Sequence, residues 1–410
     1  MATHLEAADR VSFKTTSMRL RKAFLALLVA IAAGTACAQD FTSLDTLKFY
    51  DALRFRMINK GWDNTLTPYT RIPATIKDSV RTTLWDRAKN SAGIGIRFAT
   101  NSHCVAVRYN LMSNFHMAHM ADTGIKGTDL YILDDEGVWR FVNCNRPYRD
   151  YNYKGEGPRK DSIQSKVYID KLDGEWHEYM IYLPLYDGIN WMEIGVEPSA
   201  EITQPRVNSP RKEKKFVFYG TSILHGGCAS RTGMVATSIL QRDLDVECVN
   251  LGVSGEGKMD SCMARAMAAI PHVDAYILDP IPNCTKLMCD TVTYGFVNLL
   301  RTLRPEVPIF MVEGQEYSYE RFSGFYSNYL PEKNYEFHKN YLKLKAENPR
   351  NLYYIDRENL YGPDCEGSVD GIHLTDLGFY YYAQKLKPYL EAILNGTEVP
   401  FQDKVNRPKN

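Results

Sequence analysis

The sequence carries no excess of charge of either sign: 49 Lys and Arg stand against 49 Asp and Glu over 410 residues. A polyanion-binding protein usually shows a basic excess or stripe, so no nucleic-acid partner is expected. Long low-complexity tracts are also missing, and 44% hydrophobic with 24% charged residues is the composition of a folded chain. Zinc-like cysteine spacing is absent, because Cys284 and Cys289 have no matching second pair, so no metal site is expected. The apolar stretch Ala23 to Ala33 is too short for a comfortable membrane span, and no stable span is expected.

What that apolar stretch does have is the setting of an export signal. Met18 to Gln39 opens with Arg19, Arg21 and Lys22, continues through the apolar run, and ends on small residues at Ala36-Cys37-Ala38. Residues 1–38 therefore read as a signal peptide, with translation starting at Met18 and cleavage after Ala38 freeing a secreted or periplasmic protein. The alternative makes Cys37 a lipidated first residue, but Gly34 and Thr35 form a poor lipobox. Export permits disulfides, and eight cysteines follow: Cys104, Cys144, Cys228, Cys248, Cys262, Cys284, Cys289 and Cys365. Their spacing is not that of a small disulfide framework, so mostly free thiols are expected, with one or two bridges open.

A chain of this length exceeds a typical single core and suggests two domains. Over 40–200 the pattern is short strands and turns with no helix-period segment of useful length. Ile94 to Phe98, Cys104 to Tyr109, Leu130 to Leu133, Trp139 to Val142, His177 to Leu183 and Trp191 to Val196 alternate or run apolar. This predicts an all-β jelly-roll sandwich. Residues 201–214, with two prolines and four Lys or Arg, read as a linker.

Over 215–400 strands and helices alternate, which implies a parallel sheet covered on both faces. Strands are expected at Lys215 to Tyr219, Val246 to Gly252, Ala275 to Asp279, Val307 to Val312 and Leu352 to Ile355. Helices are expected at Leu224 to Leu240, Ser261 to Ile270, Thr291 to Leu303, Lys333 to Glu347 and Thr375 to Ile393. The stretch Gly314 to Pro331, crowded with Tyr317, Tyr319, Phe322, Phe325, Tyr326 and Tyr329, is too long for an ordinary connection and suits an active-site wall.

Four loops at the carboxyl ends of these strands carry chemistry-bearing residues. Ser222 sits just past the turn at Gly220, although a serine there also suits a helix cap. Asp370 and His373 are three apart before the last helix, close enough for a carboxylate to orient an imidazole. A serine attacks a carbonyl only if a base takes its proton and donors receive the negative charge. Asn250 to Gly257 leaves backbone N–H groups unhindered at Gly255, and Asp279 to Asn283 can present the Asn283 amide.

Taken in order, GTS with Ser222, NLGVSG with Gly255, PIPN with Asn283 and DGIH with Asp370 and His373 resemble the four blocks of the SGNH or GDSL hydrolases. The resemblance covers about Lys215 to Leu394 and implies a three-layer, flavodoxin-like α/β domain. It implies Ser222 as nucleophile, His373 as base and Asp370 as its orienter. Ser222 N–H, Gly255 N–H and the Asn283 side chain would form the oxyanion hole. The β-rich region is similar to the jelly roll beside this domain in bacterial exported carbohydrate esterases. Thr221 replaces the usual acidic residue before the nucleophile, removing a local acceptor, and PIPN replaces the usual GxND block.

Other histidines offer alternatives. His225, three after Ser222, is a second candidate base, or a residue facing loop atoms. His116 and His119 lack a companion carboxylate at metal-site spacing; they either pack or reach the cleft on a loop from the β region. The reading is a serine esterase that deacetylates a carbohydrate without metal or organic cofactor, acting on a small-molecule or glycan ester. A lipid or thioester hydrolase and a non-catalytic glycan-binding protein are the rivals, and no oligomeric state is read from the sequence.

Overall fold

Apolar side chains recur along 95–111 and 177–196 and give each segment a face that packs on the opposite sheet, the condition for two sheets to lie face to face. The computed structural model describes residues 42–147 and 162–400; the expected signal peptide and Cys37 lie outside them. In the β region one antiparallel sheet runs in the order Lys48–Asp51, Ile189–Val196, Val105–Leu111, Ile163–Ile169. The other runs Ile202–Thr203, Gly95–Thr100, His177–Tyr182, Asp129–Leu133, Trp139–Cys144, with Arg56–Ile58 also on Gly95–Thr100. Apart from Arg56–Ile58 and Ile202–Thr203, eight strands remain, distributed between the sheets as in a jelly roll. Phe98, Tyr109, Tyr179, Ile181 and Ile194, all essentially inaccessible, fill the space between the sheets.

The strands not expected from sequence, Lys48–Asp51, Arg56–Ile58, Ile163–Ile169 and Ile202–Thr203, are short or lie at sheet edges, where half-exposed positions accept polar side chains and blur the alternation. Two short helices, Thr82–Ala88 and Asp122–Ile125, interrupt a region expected to have none of useful length. The stretch 201–214 is structured too: Ile202 and Thr203 pair with Thr100 and Ala99, and Arg211 already belongs to the next strand.

That strand, Arg211–Gly220, is second in a five-stranded parallel sheet ordered Val246–Gly252, Arg211–Gly220, Ala275–Asp279, Ile309–Val312, Leu352–Ile355. Numbered along the chain this is 2-1-3-4-5, the flavodoxin-like order. Both faces are covered. Val217, Tyr219, Leu251, Tyr276 and Met311 meet the helices Ser261–Ala268, Thr293–Leu303 and Tyr326–Glu347 on one side. Phe216, Phe218, Ile277 and Phe310 meet Ala236–Leu244 and Asp376–Asn395 on the other.

The expected helix over Leu224 to Leu240 is broken. A single turn, Ser222–His225, stops at Gly226 with φ +104°, a 3-10 turn follows at Thr232–Met234, and the helix proper is Ala236–Leu244. The helix expected from Lys333 starts at Tyr326, so the aromatic connection is Glu313 to Phe325 rather than Gly314 to Pro331. Its first turns are held by ring contacts among Phe325, Tyr326 and Tyr329 despite Pro331. All eight cysteines of the described residues are free thiols, so neither possible bridge forms. Among the described residues no helix is long and apolar enough to cross a membrane.

Candidate active site

In a sheet of order 2-1-3-4-5 the loops after the first and third strands diverge to opposite faces and leave a crevice between them at the carboxyl edge. Ser222 follows the first strand and Asn283 the third. Ser222 is not the helix cap: Thr221 takes that place, its Oγ1 accepting the Ile223 N–H at 3.3 Å. The acceptor thought to be lost with the usual acidic residue is thus supplied by the threonine. Ser222 is the first helical residue, and its hydroxyl is 3.0 Å from His373 Nε2.

His373 is held from its other side. Its Nδ1 lies 2.8 Å from Asp370 Oδ2, while Asp370 Oδ1 accepts the backbone N–H groups of Ile372 at 3.0 Å and His373 at 2.8 Å. Partial burial pushes the Asp370 carboxyl up, but the His373 backbone and ring, with the Ile372 N–H, outweigh it and hold it below the usual carboxylate range. An ionised Asp370 fixes the imidazole with its proton on Nδ1 and leaves the Nε2 lone pair facing the serine. The loop carrying the pair is braced by the aromatic connection, through Ser318 N–H to Gly371 O at 3.1 Å and Gln315 Nε2 to Ile372 O at 3.3 Å.

The loop after the second strand is tied to the same rim. Val253 donates to Gly220 O at 2.9 Å, and Gly257 donates to Asn283 Oδ1 at 3.2 Å. With its oxygen engaged, Asn283 keeps its amide N–H₂ for another acceptor. Gly257 passes so close to the first strand that a Cβ there would stand 2.3 Å from Gly220 O. Gly255 adopts φ +76°, has open space where a side chain would stand, and its N–H meets no acceptor among the described residues.

His225 has a different task from the one weighed for it. It is buried, stacked on Tyr186 with ring centroids 4.2 Å apart, and its Nε2 is 2.7 Å from Leu185 O. Its Nδ1 accepts the Ser254 N–H at 3.2 Å, which places the proton on Nε2. Burial, then the Arg71 guanidinium, push its pKa well below the ordinary value, so it stays neutral and holds the Ser254–Gly255 turn. Sequence reasoning did not find Arg71, which reaches from the β region to Gly252 O at 2.6 Å and Asn250 O at 3.2 Å. No local pattern marks it, because its partners are backbone carbonyls far along the chain.

Of the paired histidines, His116 is turned to Asp122, 2.8 Å from Oδ1, whereas the His119 ring lies 5.8 Å from that of His373. His119 therefore reaches the cleft and His116 does not. A cavity of about 430 Å³ lined by Glu316, Arg321, Asp356, Arg357, Tyr361 and Cys365 contains none of the residues that meet at Ser222.

Residues 213–391 match the GDSL-like lipase/acylhydrolase family, and residues 47–202 match the amino terminus of SGNH-hydrolase-type esterases. A structure described as a GDSL-like lipase from Bacteroides ovatus is 31% identical, with TM-score 0.77, covering 87% of this chain and 99% of its own. A salicylyl-acyltransferase from a tetracycline biosynthetic pathway shares the fold at 16% identity and TM-score 0.65, covering 87% and 99%. An acetyl xylan esterase from Butyrivibrio proteoclasticus shares it at 11% and 0.53, covering 86% and 100%. No curated protein matches the chain. The chain belongs to the GDSL-like lipase/acylhydrolase family, the SGNH hydrolases, and is an ester hydrolase.

Proposed function

We propose that the protein is an exported serine esterase that removes acetyl groups from a carbohydrate, with Ser222, His373 and Asp370 as its catalytic triad. The observation that carries the triad is the unbroken relay from Ser222 Oγ to His373 Nε2 at 3.0 Å and from His373 Nδ1 to Asp370 Oδ2 at 2.8 Å. His373 takes the serine proton as Oγ attacks the ester carbonyl, and returns it to the departing alcohol as the acyl-enzyme forms. Water then repeats the sequence and releases the acid. Ser222 N–H, Gly255 N–H and the Asn283 amide receive the charge on the carbonyl oxygen, each such donor being worth about 3 kcal/mol.

The sugar preference draws on the surface beside the His373 loop. Phe322 and Phe325 are exposed, and Phe325 stacks on Tyr329 at 5.6 Å, offering flat rings of the kind that pack on sugar faces. It draws also on the fold shared with the acetyl xylan esterase. Export rests on the Met18 to Gln39 pattern.

Incubating wild type and Ser222→Ala with a chromogenic acetyl ester tests the chemistry: turnover by the first and none by a folded second is expected. Acetyl-to-octanoyl chain comparison and acetate release from acetylated polysaccharides test the substrate. Preference for octanoyl esters would make it a lipid acyl hydrolase, and glycan binding without turnover would make it a binding protein.

A further inference from the structure

Two side chains beside the triad have no part in the chemistry derived above. Cys228 lies six residues after Ser222, in the left-handed region with φ +72°, and its buried thiol meets no hydrogen-bond partner among the described residues. His119 arrives on the loop from the β region. That loop is anchored where the buried Asp187 accepts the N–H groups of Ser113 at 3.0 Å and Phe115 at 2.9 Å. No hydrogen bond among the described residues occupies the His119 ring nitrogens. One ligand atom each of His119, Cys228 and His373 lies within 4.8 Å of the other two.

A tetrahedral zinc ion with Zn–S of about 2.3 Å and Zn–N of about 2.0 Å holds such ligands roughly 3.5 Å apart. Adjustment of the three side chains by about 1 Å therefore closes them on one ion, leaving a fourth position for water. One thiolate with two imidazoles favours a zinc-class ion over magnesium or calcium. His373 already gives its other ring N–H to a carboxylate, Asp370, the outer partner that ligating histidines commonly have.

We propose that His119, Cys228 and His373 form a reversible inhibitory site for a zinc-class divalent cation. On binding, the Cys228 S–H proton passes to solvent and the thiolate, the His119 nitrogen and His373 Nε2 each donate a lone pair to the ion. The lone pair that would accept the Ser222 proton is then engaged, and hydrolysis stops until the ion leaves. The inhibitory role rests on the proposed triad; the ion site itself does not.

The test uses two readouts on the full chain. In an ester assay on metal-stripped protein, Zn²⁺ at micromolar concentration is expected to inhibit wild type, with recovery on adding a chelator. Cys228→Ala should keep its metal-free turnover, and both it and His119→Ala should need about tenfold more Zn²⁺ for the same inhibition. Separately, Co²⁺ titrated into Ser222→Ala protein should raise a thiolate-to-cobalt absorption band that is missing from Ser222→Ala/Cys228→Ala. Equal Zn²⁺ sensitivity of wild type and Cys228→Ala, or no cobalt band, overturns the site. A cobalt band alongside a wild type that hydrolyses no ester sinks the triad reading and keeps the ion site.

Discussion

At the scale of single residues, the proposed mechanism gives Asp370 and Asn283 roles at different moments of the reaction. Asp370 holds one tautomer of His373 throughout the cycle, so Asp370→Asn should lower kcat by about 10⁴-fold while thermal stability changes little. In the proposed oxyanion hole Asn283 meets substrate charge only as it develops, so Asn283→Ala should lower kcat by about 10²-fold to 10³-fold with KM nearly unchanged. Steady-state kinetics separates the two, and a rise in KM alone for Asn283→Ala would remove it from the oxyanion hole.

Asp279, which ends the third parallel strand, sets a pH dependence. Burial pushes its carboxyl up to about 7, against the opposing pull of Tyr382 OH, which donates to Oδ2 at 2.8 Å. A raised carboxyl binds its proton more tightly folded than unfolded. Its contribution is therefore complete below the ordinary aspartate pKa of about 4 and is lost as pH rises to about 7. Asp279→Asn removes this loss while keeping an acceptor for Tyr382. Between about pH 5 and pH 8 the variant should lose about 3 kcal/mol less stability than wild type. Glu313, also pushed up to about 7 by burial, contributes equally to both proteins. Denaturant titrations across that range check this, and parallel stability curves would contradict it.

At the scale of elements, the loop Val253 to Gly257 and the aromatic connection are the parts that shape the cleft. Gly255→Ala meets open space and bears only the strain of a left-handed alanine, about 1 kcal/mol. Gly257→Ala drives a methyl into Gly220 O and should destabilise by more than that, displacing the Asn283 tie as well. Thermal melts of the two variants should rank them in that order. The substitution Phe322→Ala removes one of the exposed rings and none of the ring contacts of the helix start, so the melting temperature and turnover of a small acetyl ester should hold. KM for an acetylated polysaccharide should rise if these rings bind sugar.

Elements also show why some of the fold could be read directly and some could not. Ala275–Asp279 lies inside the sheet with both faces covered, so it is a continuous apolar run whose ends coincide with the expected ones. Ile163–Ile169 lies at a sheet edge and carries Gln164, Ser165 and Lys166, which erase the period. The break after His225 comes from Gly226 in a left-handed conformation, within a stretch whose apolar spacing continues as if helical.

At the scale of the whole molecule, the β region braces the loops that carry the candidate site. Arg71 is buried there with four backbone carbonyls as partners, those of Arg87, Asn90, Asn250 and Gly252, the last two belonging to the parallel sheet. Leu185 receives the His225 Nε2–H, and Asn59 accepts the Cys248 N–H at 3.0 Å. Arg71→Met should strip these carbonyls of their donor and cost about 3 kcal/mol or more. It should also reduce turnover in the fraction that remains folded, because the Ser254–Gly255 turn loses its support. Denaturant unfolding and active-site-normalised kinetics read the two effects separately.

Chemistry declared by neighbours along the chain was legible from sequence. Asp370 and His373 are three residues apart, so covalent spacing brings that pair within reach, whereas Ser222 meets His373 across 151 residues only through the sheet that carries both loops. The strand order, the neutral role of His225, the reach of Arg71 and the approach of Cys228 and His119 to His373 were decided only in the folded molecule. Each depends on a contact between segments tens to hundreds of residues apart, and a carbonyl, a burial or a ring stack of that kind leaves no local pattern for the sequence to display.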